Sequence, residues 1–188
     1  MNYPLPDYLE SVPVLENRWQ LLAEATSAAP EGLWAEFGVA RGKSADFLTS
    51  RLTSDGSLDL FDSFQGLPYA WERTDGIFAK GLFACRVYEP KAPNVNVHVG
   101  LFSETLPGFY APNTLAFAHI DCDLYESTKD VLEHVSDALM PGAIVVFDEL
   151  FGFGGWEQFE HRAVTEWSLN REWVYRDSEY RAMMRVIK

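Results

Sequence analysis

The chain has 188 residues, 47% of them hydrophobic and 14% aromatic, enough for one domain with a sizeable core at roughly 150 residues per domain. Lys and Arg number 15 against 28 Asp and Glu, for a formal net charge of −13. A field of that sign repels phosphate backbones and anionic membrane surfaces, so no nucleic acid and no membrane is expected as a partner.

Pro4, Pro6 and Pro13 mark the first fourteen residues as an arm. Residues 15–28 read as a helix with Leu15, Trp19, Leu22 and Ala23 on one face, stopped by Pro30 and Gly32. Residues 33–39 form a short apolar run interrupted by Glu36, the pattern of a buried strand. Helix 44–52 follows, then strands at 57–62, Val95–Val99 and Leu115–Ile120. Helix 127–139 turns inward Val131, Leu132, Val135 and Leu139. Pro141-Gly142 turns the chain into strand 143–147. Helix 156–169 and two closely spaced strands, 173–177 and 182–187, complete the chain. Near-continuous apolar strands alternating with helices indicate an α/β fold, a parallel sheet covered on both faces. The last two strands are too close for a crossover and predict an antiparallel hairpin at one edge. Residues 65–94 form a long stretch rich in aromatics, Gly and Pro, and such a segment is usually functional. Tyr69, Trp71, Phe78, Phe83 and Tyr88 within it are expected to shape a pocket.

The cysteines are Cys85 and Cys122 only, with no CxxC pair, so structural zinc and a disulfide framework are not expected. Met1-Asn2-Tyr3-Pro4 lacks a basic region followed by an apolar run, and no apolar stretch reaches the ~18 residues of a membrane span. A cytoplasmic location is expected.

The carboxylates carry the functional signal. Glu36, Asp62, Asp121 and the pair Asp148-Glu149 lie within strands or at their C-terminal ends. In an open parallel sheet those ends share one edge, where ligands bind. Gathered acids repel one another unless a cation or hydrogen-bond donors share the site. Asp121, Asp148 and Glu149 offer hard oxygen ligands suited to Mg²⁺. The turn from Glu36 to Ser44 has Gly38 and Gly42 for close backbone approach, and Ser44 as a candidate helix cap. It lacks GxGxxG, which disfavours a dinucleotide, and Phe37 stands where a P-loop needs its first glycine. Asp62 is placed to accept two ribose hydroxyls, or to close an Asx-turn. Asp123 and Glu126 fit a capping pattern for the helix that follows. His98 and His134 read as structural or solvated, whereas the roles of His119 and His161 stay open. No G-x-S-x-G elbow is present, which disfavours a serine hydrolase.

Five segments in order are similar to the macrocin O-methyltransferase (TylF-like) family of class I S-adenosylmethionine-dependent methyltransferases. They are Ala35-Glu36-Phe37-Gly38-Val39 with Gly42 and Ser44, the run FDSFQGLP from Phe61, GLFSETLP from Gly100, IDCDLYEST from Ile120, and Pro141-Gly142 through Asp148-Glu149. The resemblance implies a single-domain Rossmann-like fold, a mostly parallel seven-stranded sheet with a C-terminal antiparallel hairpin, spanning residues 33–188 after an N-terminal arm and helix at 1–32. It implies methyl transfer from S-adenosylmethionine to a hydroxyl of a small-molecule acceptor, a sugar or natural product, aided by Mg²⁺. It places Glu36, Gly38, Ala40, Gly42 and Ser44 at the methionine part of the cofactor. Asp62 and Ser63 would then meet the ribose, and Phe102 and Ser103 the adenine. Asp121, Asp148 and Glu149 would hold the metal, with Asp121 and Asp148 as the catalytic pair and Asp121 also near the cofactor. Glu149 stands where the family usually has aspartate. The general base is one of His98, His119, His161 and Asp123, and the fold allows a homo-oligomer. Rival readings are a nucleotide- or dinucleotide-dependent enzyme on the same scaffold and a non-catalytic cofactor-binding protein.

Overall fold

The computed structural model describes residues 3–187. The central sheet is built from β1 (Val14–Leu15), β2 (Leu33–Phe37), β3 (Leu58–Asp62), β6 (Val95–Val99), β7 (Leu115–Ile120), β8 (Leu139–Phe147), β9 (Arg171–Asp177) and β10 (Ala182–Val186). Across the sheet they run β1-β9-β10-β8-β7-β2-β3-β6. All neighbours pair in parallel except β10, which runs antiparallel to both β8 and β9. The expected hairpin therefore forms, but β10 is inserted inside the sheet and β9 lies toward the edge. The seven expected strands gain an eighth. Residues 14 and 15, read as arm and helix start, pair with Arg176 and Asp177 and cover the edge of β9.

The apolar runs explain the strand positions. Every residue of β7 is buried, as are Ala143 through Phe147 of β8. Such runs suit only a sheet with helices on both faces. One core face gathers Phe37, Phe61, Phe147 and Leu124, the other Leu48, Leu60, Phe117 and Val146. Helices α1 (Arg18–Ala28), α2 (Lys43–Arg51), the single turn α3 (Phe102–Thr105), α4 (Tyr125–Val135) and α5 (Glu160–Glu166) cover these faces.

Several boundaries differ from the sequence reading. Asn17, not Leu15, starts α1, because its side chain accepts the N–H groups of Trp19 and Gln20 at 3.0 and 3.2 Å. The buried face is Leu21, Leu22, Ala25 and Thr26, and Trp19 stays exposed. Pro141-Gly142 does not end one element and begin another. The β7–β8 register jumps from Leu115↔Leu139 to Phe117↔Ile144, so the pair sits in a bulge inside β8. The stretch 65–94 contains a small hairpin, β4 (Trp71–Arg73) with β5 (Gly76–Phe78).

After β2 the chain steps to β3 and β6 on one side, and β7 and β8 lie on the other. The strand order thus reverses between β2 and β7, and a crevice opens at their C-terminal ends.

Candidate active site

Gly38 lies at the point of reversal. Its φ is +92°, and a Cβ there would lie 1.9 Å from the carbonyl oxygen of Asp121. Only glycine lets the ends of β2 and β7 close to this distance. Beyond it, Asp62 at the end of β3 holds the turn. One carboxylate oxygen accepts the N–H groups of Val39 and Ala40, both at 2.8 Å, and the other accepts that of Phe64 at 2.7 Å. Ala40 and Phe64 both have positive φ, 45° and 56°. Charge-assisted bonds from a carboxylate offset the cost of these left-handed residues. Asp62 therefore closes an Asx-turn and ties two loops together, while still bordering the crevice.

On the β7 and β8 side, a charged network runs through the interior. His119 is fully buried, with Nδ1 2.9 Å from Glu36 and Nε2 3.4 Å from Asp148. Burial disfavours a charged ring, but hydrogen bonds to Asp148 and Glu36 outweigh it and raise the ring to about 10. Asp148 also accepts Arg181 Nε at 2.8 Å and pairs with Arg18 at 3.2 Å. Burial alone would raise its carboxyl, yet the bond to His119 and the nearby cations hold it below the usual carboxylate range. The Asp121 carboxylate pairs with Arg18 at 3.8 Å. Burial, then the charges of Asp148 and Glu149, push Asp121 well up. Burial with Asp148 and Asp123 lifts Glu149 to about 8. Asp123 rises through burial with Asp121 and Asp148. These carboxylates repel one another without enough positive charge between them. Their hard oxygen donors fit a divalent cation. His119, Asp121 and Asp148 each offer a donor atom within 4.8 Å of the others.

The crevice is a cavity of about 460 Å³, within the range of about 300–1,000 Å³ usual for small-molecule sites. Gly38, Ala40, Asp62, Ser63, Phe102 and Ser103 line one side, and Asp121, Asp123, Asp148 and Glu149 the other. From α4 come Glu126, Ser127 and Asp130, and from the long stretch Leu67, Pro68, Tyr69 and Phe83.

Three expected cofactor residues are not on this wall. Glu36 lies in mid-strand and turns inward to His119. Gly42 is covered by the ring of Tyr88, whose hydroxyl donates to Asp46 at 2.6 Å. Ser44 is buried in the first turn of α2, and Gly42, with left-handed backbone, occupies the cap position in its place. Asp123 and Glu126 do not cap α4 either; Leu124 precedes the helix, and no side chain caps it. Instead, Asp123 has φ +59° and borders the cavity. Among the base candidates, His98 bonds Asp59 at 3.0 Å, and His161 lies between Tyr8 and Trp156 with its basicity lowered by burial. His119 is enclosed in its ion network, which leaves Asp123 as the candidate on the wall.

Sequence reasoning missed Arg18, Arg181 and Glu160. Glu160 is fully buried and accepts the N–H groups of Cys122 at 3.1 Å and Glu149 at 3.0 Å, joining the turns after β7 and β8. No local pattern marks these residues, because their partners are far away in sequence.

Residues 35–150 match the family model described as a methyltransferase domain. The chain belongs to this methyltransferase family. A relative from Streptomyces olivaceus, 8-demethyl-8-(2,3-dimethoxy-alpha-L-rhamnosyl)-tetracenomycin-C 4'-O-methyltransferase, is 35% identical over 135 residues, 61% of this chain and 51% of that protein. Demethyldecarbamoylnovobiocin O-methyltransferase of Streptomyces niveus is 30% identical over 156 residues, 72% of this chain and 59% of that protein. The methyltransferase-family chain thus spans between half and three fifths of these curated relatives. Among solved structures, the O-methyltransferase NovP aligns with a TM-score of 0.72 at 23% identity, over 91% of this chain and 80% of its own, which shows the fold. No helix among the described residues is long and apolar enough to cross a membrane.

Proposed function

We propose that the chain is an S-adenosylmethionine-dependent O-methyltransferase acting on a hydroxyl of a natural-product sugar. The observation that carries this reading is the cavity at the β2/β7 reversal, with a glycine turn fixed by Asp62 on one side and convergent carboxylates on the other. The curated relatives, named as O-methyltransferases of a rhamnosyl-tetracenomycin and of demethyldecarbamoylnovobiocin, support it.

In this reading Gly38, Ala40, Asp62, Ser63, Phe102 and Ser103 border the cofactor. When bound, S-adenosylmethionine supplies a methyl group on a sulfonium, which an acidic, aromatic pocket favours. The side chains of Tyr69 and Phe83 border the acceptor, exclude water and orient its hydroxyl toward the methyl. Much of the rate comes from this alignment, because the displacement is in-line. The acceptor oxygen gains the methyl as the carbon–sulfur bond breaks, and its proton passes to a carboxylate oxygen of Asp123. A divalent cation such as Mg²⁺, held by Asp121, Asp148 and Glu149, would add Lewis acidity at the acceptor oxygen. His119, Arg18 and Arg181 keep Asp148 ionised and fixed in position.

The test is transfer of tritiated methyl from S-adenosylmethionine to a panel of glycosides, with Mg²⁺ or with a chelator. Transfer is expected with wild type and a loss of about 100-fold or more with Asp123→Asn, while S-adenosylhomocysteine still binds the variant. Normal turnover of the variant would remove Asp123 from the role of base. Absence of transfer, together with absence of cofactor binding, would overturn the reading.

A further inference from the structure

Two arginines border the acidic wall of the cavity, and they are held in different ways. Arg181 turns Nε to Asp148 at 2.8 Å, and Nη1 to Asp177 at 3.0 Å and Glu179 at 2.9 Å. A guanidinium gripped by three carboxylates is a fixed part of the frame. Arg18 reaches its carboxylates with Nη2 alone, Asp148 at 3.2 Å and Asp121 at 3.8 Å. Its Nε is buried and finds no acceptor among the described residues. A buried donor without an acceptor costs free energy. Arg18 is therefore held by charge rather than by a complete set of hydrogen bonds.

Its place in the chain points the same way. Arg18 is the first residue of α1, the end at which the helix macrodipole disfavours a cation. The side chain of Asn17 caps that helix, so α1 keeps its start whichever way Arg18 points. The Arg18 guanidinium carbon lies 5.1 Å from the centroid of the Trp19 ring, and Trp19 is exposed. The Arg18 side chain, 25% exposed, thus joins an interior carboxylate pair to the surface.

Asp121 and Asp148 also belong to the donor cluster that fits a divalent cation. The third member, His119, already has Nδ1 2.9 Å from Glu36 and Nε2 3.4 Å from Asp148. A divalent ion and the Arg18 guanidinium therefore call on the same two carboxylates. Like charges that close repel strongly away from bulk water. Asp148 keeps His119 and Arg181 as partners if Arg18 leaves, so the frame around the ion survives an exchange.

We infer that Arg18 is a resident counter-ion for Asp121 and Asp148, which a divalent cation must displace, and that it sets the metal affinity of the site. In the metal-free protein the guanidinium offsets the charge of the pair. When the ion binds, the guanidinium withdraws from the pair. Arg18 is a positioning residue on this account, acting through the carboxylates it releases. The inference rests on the metal-assisted part of the O-methyltransferase reading and is independent of the acceptor.

The experiment measures Mn²⁺ binding to the full chain by electron paramagnetic resonance, for wild type, Arg18→Met and Arg18→Lys. Arg18→Met removes the charge and is expected to bind Mn²⁺ about tenfold tighter or more. Arg18→Lys keeps the charge and is expected to stay near wild type. A residue that only braced the fold would weaken metal binding when removed. Because Arg18→Met leaves the carboxylate pair without its counter-ion and can unfold, a second measurement uses the native side chain. Wild type is titrated with Mg²⁺ while tryptophan emission is followed, and Trp19→Phe is titrated in parallel to isolate Trp19. Withdrawal of the guanidinium from beside the ring is expected to change Trp19 emission as Mg²⁺ saturates. Four results would overturn the inference: equal or weaker Mn²⁺ binding by folded Arg18→Met, equally tight binding by Arg18→Lys, no Mn²⁺ binding by wild type or Arg18→Met, or constant Trp19 emission through the titration. Thermal stabilisation by S-adenosylhomocysteine in the same samples reports separately on the methyltransferase reading.

Discussion

Asp62→Asn isolates the device that shapes the cofactor side of the cavity. The carboxylate accepts three backbone N–H groups, from Val39, Ala40 and Phe64, at 2.7 to 2.8 Å. An amide has one oxygen, so it satisfies either the Val39–Ala40 pair or Phe64, and its NH₂ group then faces an N–H donor. At about 1.5–3 kcal/mol for each hydrogen bond to a charged group, losing one or two of them, with partial access for water at the rim, costs about 2–4 kcal/mol. The left-handed residues Ala40 and Phe64 lose their restraint at the same time. Because Gly38 and Ala40 border the cavity, the turn's disorder must be reversed when the cofactor binds. Affinity for S-adenosylhomocysteine is therefore expected to fall by about tenfold or more, a loss of about 1.4 kcal/mol. Urea denaturation and titration calorimetry measure the two effects. If the variant keeps its stability within about 0.5 kcal/mol and its affinity within twofold, the assignment of Asp62 as the organiser of the turn is refuted.

Three further outcomes follow from the geometry. Gly38→Ala places a Cβ 1.9 Å from the Asp121 carbonyl oxygen, so the ends of β2 and β7 must separate; lost stability together with weakened S-adenosylhomocysteine binding is expected, and unaltered binding would contradict it. Glu160→Ala leaves the N–H groups of Cys122 and Glu149 without their acceptor, and denaturant titration should show a loss of about 2–5 kcal/mol, at about 1–3 for each buried unsatisfied group. Burial and the bond to Asp46 raise the Tyr88 hydroxyl to about 12. Its contribution to stability is therefore fully present below the unfolded value near 10 and is lost as pH climbs from there toward 12. The difference in stability between wild type and Tyr88→Phe should be flat up to about pH 10 and shrink above it; ionisation of Tyr88 near 10, followed by absorbance at 295 nm, would contradict this.

Much of the framework was legible because its signals are local. Runs such as Leu115–Ile120 are apolar but for His119 and buried throughout, as in a sheet covered on both faces. Acids at strand ends share one edge by topology alone, and Asp62, Asp121, Asp148 and Glu149 do meet at the cavity. The failures have a common physical cause in competition from distant partners. The family resemblance implies Glu36 at the cofactor, but His119, 83 residues away, takes it inward. The capping pattern predicts Asp123 as a cap for α4, and the family resemblance keeps it among the base candidates; left-handed backbone turns it from the cap to the cavity wall. Ser44 lost the cap position to Gly42, whose φ of 75° suits the tight entry to α2. Val14–Leu15 pairs with β9 through backbone hydrogen bonding, which side-chain patterning does not reveal.

A crystal structure of the chain with S-adenosylhomocysteine bound bears most directly on the proposed chemistry. The account predicts the ribose beside Asp62 and Ser63, the adenine against Phe102 and Ser103, and the sulfur pointing across the cavity toward Asp121 and Asp123. A molecule bound elsewhere, or a cavity left empty at saturating ligand, would contradict it.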